Sequence, residues 1–171
     1  MSVQEHKKQA PHSVACKIIT VSDTRDETTD KSGKLIMELL ESHGHKLADY
    51  VIVKDESELI KAEVQSGTAN PEVEVVITNG GTGIAMRDVT IETVAKLFDK
   101  EITGFGELFR MLSYQEDIGS AALMSRAIAG VVNNRAVFSI PGSSGAVRLA
   151  MNKLILPEIG HVVRELKKDL T

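Results

Sequence analysis

Residues 75–90 read VVITNGGTGIAMRDVT, and this stretch most restricts the folds open to the chain. Val73, Val75, Val76 and Ile77 form an apolar run interrupted only by Glu74. Such a run suits a strand covered on both faces within a parallel sheet. Gly80, Gly81 and Gly83 follow and permit positive φ and close backbone approach. Beyond them Ile91, Val94, Leu97 and Phe98 share one side of a helix, which Asp88 or Thr90 can cap. A strand end, a glycine turn and a helix start leave bare N–H groups that attract anions. A tight turn with no ligand accounts for the glycines equally well.

Two common phosphate loops do not fit. A Walker loop needs Gly-Lys followed by Ser or Thr, and Gly83 is followed by Ile84. The dinucleotide fingerprint needs a third glycine where Met86 stands, and it belongs after the first strand of its unit rather than the third. A nucleotide-binding oxidoreductase is therefore disfavoured. Downstream, Arg87 can fork onto a phosphate oxygen, and Asp88 can hold Mg²⁺ against substrate phosphates.

The 171-residue length predicts one domain over 13–171, preceded by a polar flexible tail at 1–12. That tail has neither the apolar core of a signal peptide nor an anchor, so the expectation is a cytoplasmic protein without membrane association. The formal net charge of −4 argues against a general nucleic-acid binder. The one cysteine, Cys16, sits in an apolar run and reads as a small buried residue, with no internal disulfide possible. His43 and His45 lack the partners of a metal-ligand set and read as surface or capping groups.

The first strand is predicted over 14–21, broken by Lys17, and ends at Ser22 and Asp23. These two residues are either a turn or part of a cleft beyond a strand's carboxyl end. A helix through Leu35, Ile36, Leu39 and Leu40 stops near Gly44; a second strand covers 47–53. Asp55 then either caps the next helix or faces Asp88 across a cleft. In the stretch 101–115, Gly104 and Gly106 let the backbone bend before residues 107–112, where Leu108, Met111 and Leu112 have helical spacing and suit core or subunit contact. Asn133 and Asn134 fit a two-residue hairpin turn. Pro141, Gly142 and Ser143 form a second loop that opens a helix through Val147, Met151, Leu154 and Ile155. Pro157 starts a last helix. Alternating strands and helices give a three-layer α/β/α sandwich with a mostly parallel sheet and a β-hairpin.

The set TNGGTG at 78–83, RDVT at 87–90, GFGELFR at 104–110, SRAIAG at 125–130 and PGS at 141–143 resembles the molybdopterin-binding family of molybdenum cofactor biosynthesis. The match runs in order from about residue 14 onward. Ser144 departs from it, since proline often stands there. The resemblance implies a molybdopterin-binding-like fold and adenylyl transfer from MgATP to molybdopterin. It makes Asp55 and Asp88 the catalytic and Mg²⁺-holding acids. It places Ser22, Asp23, Thr78, Gly80, Gly81, Thr82, Gly83, Arg87, Ser125, Pro141, Gly142 and Ser143 around molybdopterin and phosphate. It further implies a trimer or hexamer and work alongside other molybdenum cofactor biosynthesis proteins. The alternative is a molybdopterin carrier without turnover.

Overall fold

The computed structural model describes residues 1–170. Six strands form one sheet in the order β2-β1-β3-β6-β5-β4. They are β1 (Ala15–Val21), β2 (Lys46–Val53), β3 (Val75–Asn79), β4 (Lys100–Glu101), β5 (Ile128–Val132) and β6 (Arg135–Ile140). β2, β1, β3 and β6 run parallel, while β5 runs antiparallel to β6 and β4 to β5. The helices are α1 (Val3–Lys8), α2 (Lys31–Ser42), α3 (Ser57–Ala69), α4 (Thr90–Ala95), α5 (Thr103–Glu116), α6 (Ser144–Ala150) and α7 (Leu156–Lys167).

Alternation along the strands makes three layers. Cys16, Ile18, Val75 and Ile77 point to one face, where Ile36, Leu40, Phe109, Val147 and Ile159 from α2, α5, α6 and α7 cover them. Ile19, Val21 and Val76 point to the other face, beneath Ile60, Val64 and Val94 of α3 and α4. All of β3 is buried, as expected for a strand covered on both sides. The Cys16 thiol is pushed up to about 12 by burial and then by Glu74, so it is an inert core group. Lys17 is 1% exposed; its ammonium pairs with Glu63 at 2.6 Å and Asp49 at 3.3 Å, which reconciles a charge with a buried strand.

The hairpin turn forms as the asparagine pair predicts, with φ of 47° at Asn133 and 61° at Asn134. Four features differ from the sequence expectation. Within the stretch 1–12, Ser2 and Glu5 make a capping box that starts a short helix, α1, which the sequence reading did not include. Helix α4 stops at Ala95, and Phe98 lies flat against Gly130, where a Cβ would meet its ring at 2.4 Å. The short edge strand β4 carries two exposed charges. Between α6 and α7 the chain makes a π-turn, Met151–Ile155. Pro157 lacks an N–H and crowds the preceding turn, which explains the wider turn just before it.

Asp30 joins three elements beneath the carboxyl ends of the strands. Fully buried, it caps α2 by accepting the Gly33 N–H at 3.0 Å. Its other oxygen accepts from Thr20 on β1 at 2.6 Å and Tyr50 on β2 at 2.5 Å. Thr20 in turn accepts from Asn79 on β3 at 3.0 Å, and Ser32 donates to Asn79 at 2.7 Å. Burial works to raise the Asp30 pKa; the bonds from Thr20, Tyr50, Gly33 and Ser32 outweigh it and hold the carboxyl below its ordinary range. A carboxyl with a depressed folded pKa stabilises the fold above its unfolded pKa of about 3.9, and that contribution is lost as pH falls through the folded value. Asp30→Asn should therefore melt lower than the parent at pH 7, with the gap narrowing as pH falls from about 3.9 through the folded value. Thermal melts across pH that leave the gap constant would remove the charge from this account.

Candidate functional site

The strand order reverses between β1 and β3, so the carboxyl ends of the parallel strands open a crevice there. Ser22 and Asp23 follow β1, Asp55 follows β2, the glycine loop follows β3 and Pro141–Gly142–Ser143 follows β6. The two loops touch: a Cβ on Gly142 would lie 3.2 Å from the Cα of Gly80. The glycines answer first to the chain itself. Gly80 has φ of +98°, and a Cβ there would stand 2.2 Å from the Val21 carbonyl oxygen. Gly81 has φ of +67°, and its Cβ would stand 2.3 Å from Thr90 Oγ1 and 2.9 Å from Asp55 Oδ1. A Cβ on Gly83 would meet Asp88 Oδ2 at 2.5 Å. Any case for a ligand therefore rests on the groups around the loop, not on its glycine content.

Those groups fall around two clefts. One, of about 430 Å³, is lined by Gly81, Thr82, Gly83, Asp88 and Ser125 on one side and Pro141, Gly142 and Ser143 on the other. The second, of about 370 Å³, holds Ser22 and Asp23 between the ends of β1 and β2. Arg87, which lines neither cleft, donates to both Asp23 oxygens, at 2.6 and 2.9 Å. This fork lowers the Asp23 pKa and raises that of Arg87. Asp23 also accepts the Asp55 N–H at 3.1 Å. Ser22 is half-committed, since its hydroxyl accepts from the Thr24 and Arg25 N–H groups as a turn would require. Ser143 caps α6 through the Ala146 N–H at 3.2 Å.

Neither acid caps a helix. The N-cap of α3 is Glu56 and that of α4 is Val89, both without a side-chain bond. Asp88 Oδ2 instead accepts the Ala85 N–H at 3.0 Å and closes its own loop. Asp55 has its pKa raised, first by burial and then by the charges of Asp23 and Asp88. Thr90 ties the glycine loop to α4, its hydroxyl donating to Gly80 O at 3.0 Å and its N–H to Gly81 O at 3.1 Å.

Thr78 needs correction as a binding residue. It is fully buried in β3 and donates to Ser139 at 2.8 Å on the neighbouring strand, so it lines neither cleft. Two arginines outside the expected set hold the loops. Arg126 donates to Thr82 O at 3.0 Å and Gly83 O at 2.6 Å, and pairs with Glu92. Arg25 donates to Gly142 O at 3.2 Å and Ser32 Oγ at 2.6 Å. Both lay beside motif residues, Arg25 after Ser22-Asp23-Thr24 and Arg126 after Ser125, and that adjacency was the signal available.

An α/β sheet with two loops converging at its switch point defines a small-ligand-binding domain of the doubly wound type. The family described as "Probable molybdopterin binding domain" matches residues 17–161, and the chain belongs to it. It is 64% identical over 169 residues to the molybdenum cofactor biosynthesis protein B of Bacillus subtilis (strain 168), covering 99% of each chain. A crystal structure of a molybdenum cofactor biosynthesis protein B aligns at a TM-score of 0.91 with 64% identity, over 94% of this chain and 99% of that one. The tungsten cofactor synthesizing protein MoaB from Pyrococcus furiosus aligns at 0.80 with 40% identity, over 91% and 98%.

Arg126 turns two loop carbonyls toward itself, which fixes the direction of the intervening amides. Arg126→Met should lower stability by about 1–2 kcal/mol, the lower part of the range for charged hydrogen bonds because the guanidinium is partly exposed. Amide exchange over 82–84 should quicken at the same time. Unchanged exchange there would remove Arg126 from the loop's support.

Proposed function

We propose that the chain acts in molybdenum cofactor biosynthesis, binds molybdopterin in the cleft of about 430 Å³, and adenylylates it from MgATP. The observation that carries this reading is the state of Asp55 and Asp88. Both stand against the glycine loop, neither serves as a helix cap, and Asp55 is destabilised as an anion by burial and by its acidic neighbours. A pair of carboxylates so placed fits Mg²⁺, which takes one or two carboxylates and completes its shell with substrate phosphates and water.

In the transfer, an oxygen of the pterin's terminal phosphate forms a bond to the α-phosphorus of ATP. The bond from that phosphorus to the bridging oxygen breaks, and pyrophosphate leaves with the electron pair. The attacking oxygen is already anionic, so no strong base is required. Bound Mg²⁺ supplies neutralisation of the triphosphate charge. Amides of 81–83 hold a phosphate, and Pro141, Gly142 and Ser143 border the pterin side. Their task is positioning.

The same reading includes assembly in a multiple of three. Leu108, Met111 and Tyr114 on α5, followed by Ile118, Leu123 and Met124, are 46 to 84% exposed. Leu112 packs on the core, so the exposed stripe lies on α5's other side. A continuous apolar surface of this kind closes between subunits. Ile118 and Met124 also line the cleft, which brings that interface to the site. Light scattering should give a mass that is a multiple of three chains, and Leu123→Lys should shift it downward. A monomer mass for the parent rejects this part.

Asp88→Asn separates charge from shape. It can still accept the Ala85 N–H, so the melting temperature should stay within a few degrees and pterin binding should persist. Pyrophosphate release should fall by roughly a hundredfold or more, the scale of losing about 3 kcal/mol of fixed electrostatic stabilisation. Asp55→Asn should behave alike, and the double variant should lose little more, since groups sharing one ion act as a unit. Parent protein that retains molybdopterin but releases no pyrophosphate from MgATP would replace the transferase with a carrier.

A further inference from the structure

We propose that His6, His161 and Glu165 form a zinc-type metal site that fastens α1 to α7. One ligand atom from each lies within 4.8 Å of the others. His161 and Glu165 are four apart on α7 and share a face. His6 arrives from α1, with Nδ1 3.3 Å from Glu165 Oε1 and its ring edge-on to His161 at 5.7 Å between centroids. A tetrahedral ion with bonds of about 2.0–2.1 Å sets its donors about 3.4 Å apart. The His6–Glu165 pair already has that spacing. The side chains are 20 to 34% exposed, so His161 can rotate inward and an ion can enter.

The surroundings favour this assignment. His161 Nδ1 stands 2.9 Å from Glu158 Oε2, so the carboxylate accepts the Nδ1 proton and leaves Nε2 with its lone pair. That outer partner orients metal-binding histidines generally. Glu165 also meets Arg164 at 3.0 Å and Lys168 at 2.9 Å, which weakens it as a ligand for hard cations that rely on carboxylate charge. Two imidazoles then decide the choice, toward Zn²⁺ rather than Mg²⁺ or Ca²⁺. Helix α1 has six residues and buries none of them, well short of the length at which a helix stands alone (about 12–15 residues). Its attachment comes from polar links to α7: Lys7 to Glu158, Gln9 to Arg164 at 2.9 Å, and His6 to Glu165. A metal bridging the two helices would fix α1 in place.

The other histidines supply the control. His12, His43 and His45 border a neighbouring groove with His161. Calorimetric titration of Zn²⁺ into chelator-treated full-length protein should give one ion per chain, and Mg²⁺ should give no heat of binding. His6→Gln and His161→Gln should each weaken Zn²⁺ by at least about tenfold, and Glu158→Gln by about tenfold through the lost outer partner. His43→Gln should leave binding unchanged. Zn²⁺ should also slow tryptic cleavage after Lys7 and Lys8. Because α1 buries no residue, His6→Gln leaves the core intact, and an unchanged melt of the apo variant checks this. Absence of Zn²⁺ binding, binding that survives both histidine variants, or binding lost with His43→Gln would each overturn the site.

Discussion

A fully buried carboxylate, Asp30, is the constraint on which the crevice depends. A charge without solvent must find donors or it neutralises, and Asp30 finds them on β1, β2 and the first turn of α2. This forces the start of α2 against the sheet and fixes how deeply the β1 end can sit. Gly33 shows how close the approach is, since a Cβ there would lie 2.2 Å from Asp30 Oδ2. The network then reaches upward. Ser32 accepts from Arg25, and Arg25 donates to the Gly142 carbonyl in the second loop. The buried charge is thereby linked through three hydrogen bonds, Ser32 to Asp30, Arg25 to Ser32 and Arg25 to Gly142, to a wall of the cleft. Among the described residues no buried side-chain nitrogen or oxygen lacks a partner, as such a network requires.

The loop beyond β3 is held by the same logic at its surface. Thr90 pulls on the Gly80 and Gly81 carbonyls from one side, and Arg126 on the Thr82 and Gly83 carbonyls from another. Four consecutive carbonyls are thus committed to the protein. The Gly80 amide is committed as well, donating to the Ile140 carbonyl at 3.1 Å. Preorganisation here comes from carbonyl capture rather than from any group aimed at a ligand.

Much of this was legible in the sequence, for identifiable reasons. Most strands and helices, though not α1 or β4, followed from period, and β3 was recognisable because a strand buried on both faces reads as a nearly continuous apolar run. The Asn133-Asn134 turn was legible because two positive φ angles need residues that tolerate them. Other features depended on contacts far apart in the chain. Thr78 sits in a motif but points into the sheet, a matter of register with Ser139 that no local pattern reveals. Arg126 braces carbonyls more than forty positions earlier, and only its place after Ser125 in the SRAIAG stretch set it apart from a surface arginine. Asp55 and Asp88 precede helices and looked able to cap them, yet the chain enters α3 and α4 one residue later, through Glu56 and Val89. The π-turn before Pro157 was missed because the proline's effect falls on the turn preceding it.

The charges around the crevice bear on how a phosphorylated substrate could be received there. Arg87 is locked to Asp23, Arg126 to backbone carbonyls and Glu92, and Arg25 to Ser32 and Gly142. Each guanidinium near the loops is already engaged. Asp55 and Asp88 meanwhile add negative charge at the same edge; the Asp55 pKa is raised first by burial and then further by the charges of Asp23 and Asp88. A triphosphate approaching such an edge meets repulsion that amides alone offset only in part, because N–H dipoles carry partial charges and two carboxylates carry whole ones. Releasing Arg87 from Asp23 would supply one cation but free another carboxylate, with no net change in charge. A divalent cation between the acids and the phosphates reverses the sign of the interaction without moving any arginine. The acids that make the edge hostile to a bare polyphosphate are the groups that would make it receptive to a metal-bound one.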